Sequence, residues 1–317
     1  MITTPFTFTA TAEVVRYFSA HPLFADIDPL TMNIHPARIA EVVEKAMAEG
    51  KKVRAILPVH YAGLPCDLDA LLGLAGKYSM KIVEDSAHAF PAVYRGRNVG
   101  SIGDLTAFSF YATKPLVTGE GGMVTTSNGE YANRIKTMRL HGISRDIWNR
   151  YSALKPNWHY EVVAPGYKYN TTDIASSIGI HQLRKTGRFR KRREEIAARY
   201  TYAFQGLPVI PPPQPPEGDV HSWHLYVIRL RLEMLRIGRD RFIERMAEKG
   251  IGTSVHFIPL HLHPYWKEKY GFRPEDFPVA LEAYHCCVSL PIYTRMTDAD
   301  VERVIESVKG ILVENSR

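Results

Sequence analysis

Apolar positions follow two rhythms in the first two thirds of the chain. From Phe8 to Ser19 they recur at helical spacing, and Leu23-Phe24-Ala25 then forms a short apolar run ending at Asp26 and Asp28. Pro36 stands where a helix begins, Ala37–Glu49 repeats apolar residues every three or four positions, and Gly50 closes it. Val53–Val59 predicts a strand, Asp67 caps a helix over Leu68–Tyr78, and Lys81–Glu84 predicts a further strand ending at Asp85. Leu105–Phe110 and Met123–Thr126 are two more strands. Strand and helix in alternation predict an α/β fold, with a mostly parallel sheet covered by helices. Ligands bind at the carboxyl ends of such strands, which puts His60, Asp85 and the segment after Phe110 on one face.

The rhythm changes later. Residues from Asp173 to about Phe204 predict one long helical region. Pro208–Pro216 holds six prolines in nine residues and marks an extended boundary. Beyond it, His224–Leu232 alternates as a strand, Asp240–Lys249 forms a helix closed by Gly250, and Thr253–Ile258 is a strand. Ala280–Cys286 and Asp298–Leu312 are helices. The chain is thus expected to divide into a large unit over 1–205 and a small α+β unit over 206–317, which agrees with about 150 residues per domain.

Composition narrows the class. With 45% hydrophobic and 23% charged residues in 317, a disordered chain or a small disulfide scaffold is excluded. Lys and Arg number 40 against 33 Asp and Glu, a net +7 that permits an anionic ligand without identifying one. The basic run Lys185, Arg188 and Arg190–Arg193 reads as a solvated helix face rather than a nucleic-acid patch, because no aromatics interleave it and Glu194 and Glu195 interrupt it. Three cysteines give no disulfide framework and fit a reducing, cytoplasmic setting. No run approaches the ~18 apolar residues that span a bilayer, and the start lacks the pattern of a secretory leader.

The chemistry concentrates in Glu84-Asp-Ser-Ala-His88 and Ser109-Phe-Tyr-Ala-Thr-Lys114, followed by glycines at 119, 121 and 122. A carboxylate at a strand end can hold a ring nitrogen protonated. A partly desolvated lysine in the next loop can form a Schiff base. Glycines let the backbone approach a ligand closely. These residues permit one pocket but do not name what fills it.

In combination, they resemble the DegT/DnrJ/EryC1/StrS family of sugar aminotransferases, which use pyridoxal 5′-phosphate (PLP). The likeness runs along the chain through Thr4-Pro-Phe-Thr-Phe8, Asp26-Ile-Asp28, Pro58-Val-His-Tyr-Ala-Gly63, Gly96-Arg-Asn-Val-Gly100, Gly119-Glu-Gly-Gly122, Gly166–Asp173 and Ser254–His261, besides the two stretches above. The resemblance implies a type I PLP-dependent transferase fold in a homodimer with a shared active site. It implies that Lys114 holds PLP covalently, that Asp85 pairs with the pyridine nitrogen, and that His88 stands beside the ring. Phe8 would stack on the ring and Ser109 would bind the phosphate. Asn170 would reach the phosphate from the partner subunit. The implied reaction moves an amino group from L-glutamate to a nucleotide-linked keto-sugar, with Lys114 carrying the proton. The small unit looks most like members that aminate C4 of a 4-keto-6-deoxy or 4-keto-pentose sugar, with C3 amination as the nearest alternative and polysaccharide or related amino-sugar biosynthesis as the setting.

The spacing of His256, His261 and His263 raises a metal, but no carboxylate or cysteine accompanies them, so no metal is expected. The resemblance makes Thr253–His261, with His256 and His261, part of the sugar-site wall, with His60 and His141 as further candidates. Lys114 argues against the sugar dehydratases of the same fold, which carry histidine there. Family members also have dozens of residues ahead of Thr4-Pro-Phe, including a Gly-Thr/Ser-x-Ala turn whose helix N-terminus binds the PLP phosphate. This leads to the expectation of weak PLP retention and weak activity, and of a non-catalytic PLP- or sugar-binding regulator as the alternative.

Overall fold

The computed structural model describes residues 1–144 and 160–317. Its large sheet has six strands: β1 (Ile2–Thr3), β2 (Leu23–Phe24), β3 (Ala55–Ile56), β4 (Lys81–Asp85), β7 (Leu105–Ser109) and β8 (Gly122–Thr125). A separate hairpin is made by β5 (Val93–Tyr94) and β6 (Arg97–Asn98). The order is β2-β1-β3-β4-β7-β8, with every pairing parallel except β7 with β8. That antiparallel pair makes residues 110–121 a loop between neighbouring strands, fastened where Phe110 donates to the Gly121 carbonyl. Lys114 lies in this loop.

Three helices precede it: α1 (Ala10–Tyr17), α2 (Pro36–Ala48) and α3 (Leu68–Lys77). Pro36 takes the first helical position of α2 and His35 caps it through Nδ1; Asp67 caps α3 by accepting from the Ala70 amide. The apolar faces of α2 and α3 pack with Ile2, Ile56 and Ile82 of the sheet. A further helix, α4 (Gly129–Met138), had no expectation attached to it.

The expected single helix over Asp173–Phe204 is two: α5 (Asp173–Leu183) and α6 (Thr186–Ala203). The Thr186 hydroxyl donates to the Leu183 carbonyl at 2.8 Å, a local bond that competes with the helical ladder. The basic run on α6 is used within the fold. Arg190 pairs with Glu194, and Arg192 with Glu195 and Asp298.

The C-terminal sheet has the order β11-β10-β9, all antiparallel: β9 (Val209–Ile210), β10 (Tyr226–Leu230) and β11 (Cys287–Leu290). It packs with α6, α7 (Arg239–Glu248) and α10 (Asp298–Glu314) around Tyr200, Phe204, Tyr226, Phe242 and Val308. Tyr200 and Phe204, on the N-terminal side of the expected 205/206 boundary, thus lie in the core of this sheet. Thr253–Ile258, expected as a strand, contributes only the bridge Ser254–Ser289. Past it the chain leaves the sheet, and the Tyr61 hydroxyl donates to the His256 carbonyl at 2.6 Å.

A third core joins the two sheets, with Phe6, Phe24 and Tyr61 against Trp266, Phe277 and Cys287. Two further helices belong to it, α8 (Pro264–Tyr270) and α9 (Pro278–Cys286). Phe277 offers no side-chain cap to α9. Asp26, at the end of the β2 segment, supplies one by accepting from the amides of Val279 and Ala280 at 2.9 and 3.0 Å.

Candidate active site

Successive side chains of a strand point to opposite faces, and β4 separates two adjacent carboxylates in this way. Glu84 turns inward and is fully buried. Asp85, the last residue of β4, faces a cavity of about 540 Å³. One Asp85 oxygen accepts the Thr11 hydroxyl at 2.7 Å, and the other accepts the Ala87 amide at 3.0 Å. Thr11 is held for this by the first turn of α1, and its hydroxyl also meets that of Thr7 at 2.9 Å.

Lys114, His88, Ser109, Phe8 and His256 line the same cavity. The fold thus gathers six of the residues that the sequence singles out. Burial lowers the Lys114 pKa below the ordinary lysine value, against the opposing pull of Asp85. Burial, and then the charges of Lys114 and His256, push His88 well below the ordinary histidine value. His256 is lowered to about 4 by burial and by Lys114, and its Nδ1 bonds the Ser289 hydroxyl at 2.8 Å. Phe8 is 62% exposed, its ring tilted 6.5 Å from that of Phe257.

Phe257, within the stretch 253–261 expected in the sugar-site wall, lines the cavity too, and Thr11 and His224 belong to this wall without having been anticipated. The His224 ring lies 4.4 Å from that of His88, and Phe257 stacks on His88 at 5.8 Å. Nothing local marks His224, which reads simply as the start of a strand. Thr11 carried a faint signal, as a hydroxyl one turn beyond an aromatic at a strand-to-helix junction.

Four other candidates lie elsewhere. His60 is fully buried behind the sheet. The Cys66 amide donates to its Nδ1 at 3.0 Å, so the ring proton sits on Nε2 and goes to Glu84 at 2.8 Å. A residue following a strand end can turn inward as easily as outward, and His60 does so. His261 is also buried, bonding the Pro274 carbonyl at 3.2 Å against the Phe277 ring. His141 is exposed, in a left-handed conformation at φ 57°. Asn170 borders a separate pocket with Thr118, Gly121 and Thr172.

The cavity suits a planar, cationic-ring cofactor bearing an aldehyde. A carboxylate stands on the wall, a partly desolvated amine faces it, and two buried imidazoles present Nδ1 atoms that have no partner. Unpaired buried acceptors or donors beside a cavity are what a ligand satisfies.

A family model for the DegT/DnrJ/EryC1/StrS aminotransferase family matches residues 1–309. An uncharacterised protein of Methanocaldococcus jannaschii is 51% identical over 315 residues, covering 99% of this chain and 80% of that protein. The spore coat polysaccharide biosynthesis protein SpsC of Bacillus subtilis is 45% identical over 313 residues, covering 98% and 79%. Among solved structures, Spr1654 of Streptococcus pneumoniae, assigned as a sugar aminotransferase, superposes in its PMP form with a TM-score of 0.88 at 32% identity, over 99% of this chain and 81% of that one. The same protein is known in a PLP form. The chain belongs to the DegT/DnrJ/EryC1/StrS family and is a PLP-dependent sugar aminotransferase of the type I fold.

Proposed function

We propose that this family member transfers the amino group of L-glutamate to C4 of a nucleotide-linked 4-keto-6-deoxy or 4-keto-pentose sugar, for polysaccharide or related amino-sugar biosynthesis. The observation that carries the reading is the meeting of Lys114, Asp85 and His88 in one cavity, with the amine depressed by burial. The polysaccharide role in the name of the Bacillus relative supports the setting. Bound there, PLP supplies an electron sink for the bond-breaking step.

This chain's residues do the rest. Asp85, steadied by Thr11 and the Ala87 amide, pairs with the ring nitrogen. Phe8 and the stacked pair His88–Phe257 would pack against the cofactor ring, and Ser109 would bind its phosphate. Lys114 would hold the cofactor and would serve as the base and acid that carries the proton. Its lowered pKa makes the free amine available nearer neutrality. His256, held neutral and bonded to Ser289, orients the sugar.

A homodimer with a shared site completes the reading. Helix α5 buries no residue in the single chain, and Ile174 is 77% exposed beside the Asn170 pocket. Asn170 then serves the partner's site. The free cysteines Cys66, Cys286 and Cys287 favour the cytoplasm.

The test is an absorbance spectrum of the purified protein with PLP, before and after L-glutamate. A band from lysine-bound cofactor should appear, vanish in Lys114→Ala and bleach with glutamate. A wild-type spectrum indistinguishable from that of Lys114→Ala would refute the reading. Turnover of 4-keto against 3-keto sugar nucleotides then decides the carbon.

A further inference from the structure

A second pocket of about 340 Å³ adjoins the cavity. Thr113, His224 and His256 line both, and Thr113 is next to Lys114. The other walls of the second pocket come from Arg193 of α6, Thr253 and Ser254, and the end of β11.

Arg193 is unusual. It is 6% exposed, and among the described residues no carboxylate lies within ion-pair distance of it. Its Nη1 donates to the carbonyls of Trp223, His224 and Ile292 at 3.0, 3.2 and 2.8 Å. These dipoles orient the guanidinium but carry no net negative charge. Its Nε is buried without a partner. Burial lowers the Arg193 pKa to about 10, so the group remains a cation at neutral pH. A buried cation lacking a counter-ion is costly, and an anion entering beside it recovers that cost. The Thr253 hydroxyl, in the same wall, is also buried without a partner. Arg190, Arg192 and Arg199 of α6, by contrast, pair with carboxylates at the surface.

We propose that the Arg193–Thr253 pocket receives a carboxylate of the amino donor while the donor's amine stands at Lys114. The volume admits a small dicarboxylic amino acid and is too small for a sugar nucleotide. Guanidinium and hydroxyl together suit a carboxylate, with one ionic donor and one neutral one. The inference deepens the proposed function and rests on its amino-acid half-reaction.

The experiment uses an amine-free probe, so that it reads the pocket and not the transfer chemistry. PLP-loaded protein is titrated calorimetrically with 2-oxoglutarate, in wild type, Thr253→Val and Arg193→Lys. Thr253→Val keeps the shape and deletes only the unpartnered hydroxyl, so the fold survives even if Arg193→Lys loosens its three carbonyl contacts. The dissociation constant is expected to rise about fivefold in Thr253→Val, the loss of one net hydrogen bond. A rise of tenfold or more is expected in Arg193→Lys, with melting temperature unchanged in Thr253→Val. Equal constants in wild type and Thr253→Val overturn the proposal, as does a wild type that binds no 2-oxoglutarate. Uridine diphosphate binding that weakens in Thr253→Val while 2-oxoglutarate binding does not also overturns it and reassigns the pocket to the sugar nucleotide. Failure here leaves the glutamate-dependent bleaching intact, whereas failure of the proposed function removes the bleaching itself.

Discussion

Two polar regions sit back to back on β4. Behind the strand, Glu84 accepts from His60 Nε2, the Thr106 hydroxyl and the Gly103 amide at 2.7–2.8 Å, and His60 accepts from Cys66. In front of it, Asp85 shares a cavity with His88 and His224, whose Nδ1 atoms have no partner. All three histidines are buried. The rear network is complete and behaves as scaffold, whereas the front is incomplete and waits for a ligand. Burial works against the Glu84 charge, yet the donors of His60, Thr106 and Gly103 outweigh it and hold its pKa below the ordinary value. Between these two regions depth and polarity are alike, and what differs is that His88 and His224, facing the cavity, keep an unpartnered Nδ1 while His60 does not.

The largest expected effect lies behind the strand. Glu84→Ala strands three buried donors and should cost about 3–5 kcal/mol in urea unfolding. A loss under 1 kcal/mol would erase the distinction between the two faces. Next comes acid. His88, His224, His256 and His221 are all held below the ordinary value, His256 to about 4 and His221 to about 3, with burial the first cause. Their unfolded forms take up protons first, so stability should fall as pH drops from about 6.5 towards 4, by up to about 1.4 kcal/mol per pH unit for each imidazole. Melting temperatures that stay flat over that window would contradict neutral forms of these four imidazoles.

A paired substitution sharpens the contrast. His60→Phe breaks two satisfied bonds and should destabilise by about 1–3 kcal/mol, while His224→Phe removes an unpartnered nitrogen and should leave stability unchanged or raised. His224→Phe should still weaken PLP retention, read by dialysis and absorbance. The smallest effect is expected of Thr11→Val, which removes one donor from Asp85 and should cost about 1 kcal/mol or less. Its glutamate half-reaction should slow several-fold, and an unchanged rate would free Asp85 from any need of Thr11.

The strand ends and the lysine loop were legible because polar residues interrupt apolar runs there, as at Asp85 and after Phe110. Long-range partners were not. β11 follows α9 without a breaker, so Ala280–Leu290 offers no local sign that helix gives way to strand at Cys287. The helix break at Leu183–Thr186, where the Thr186 hydroxyl donates to the Leu183 carbonyl, has no glycine or proline between the two helices to announce it. His60 and Asp85 look equivalent by topology, and only the Cys66 amide and Glu84, brought in by tertiary packing, draw His60 inward. His224 reaches the cavity from the other sheet, which no local pattern encodes.

The cap that Asp26 gives to α9 spans 253 residues of sequence. On a ribosome adding ~5–20 residues per second, Asp26 emerges on the order of ten to fifty seconds before its partner amides exist. Phe6 and Phe24, which pack against Trp266 and Phe277, wait equally long. The front of the chain is therefore made early and finished last. During that interval it offers apolar surface to chaperones, and a message whose translation stalls late would release a chain with its first strands still uncovered.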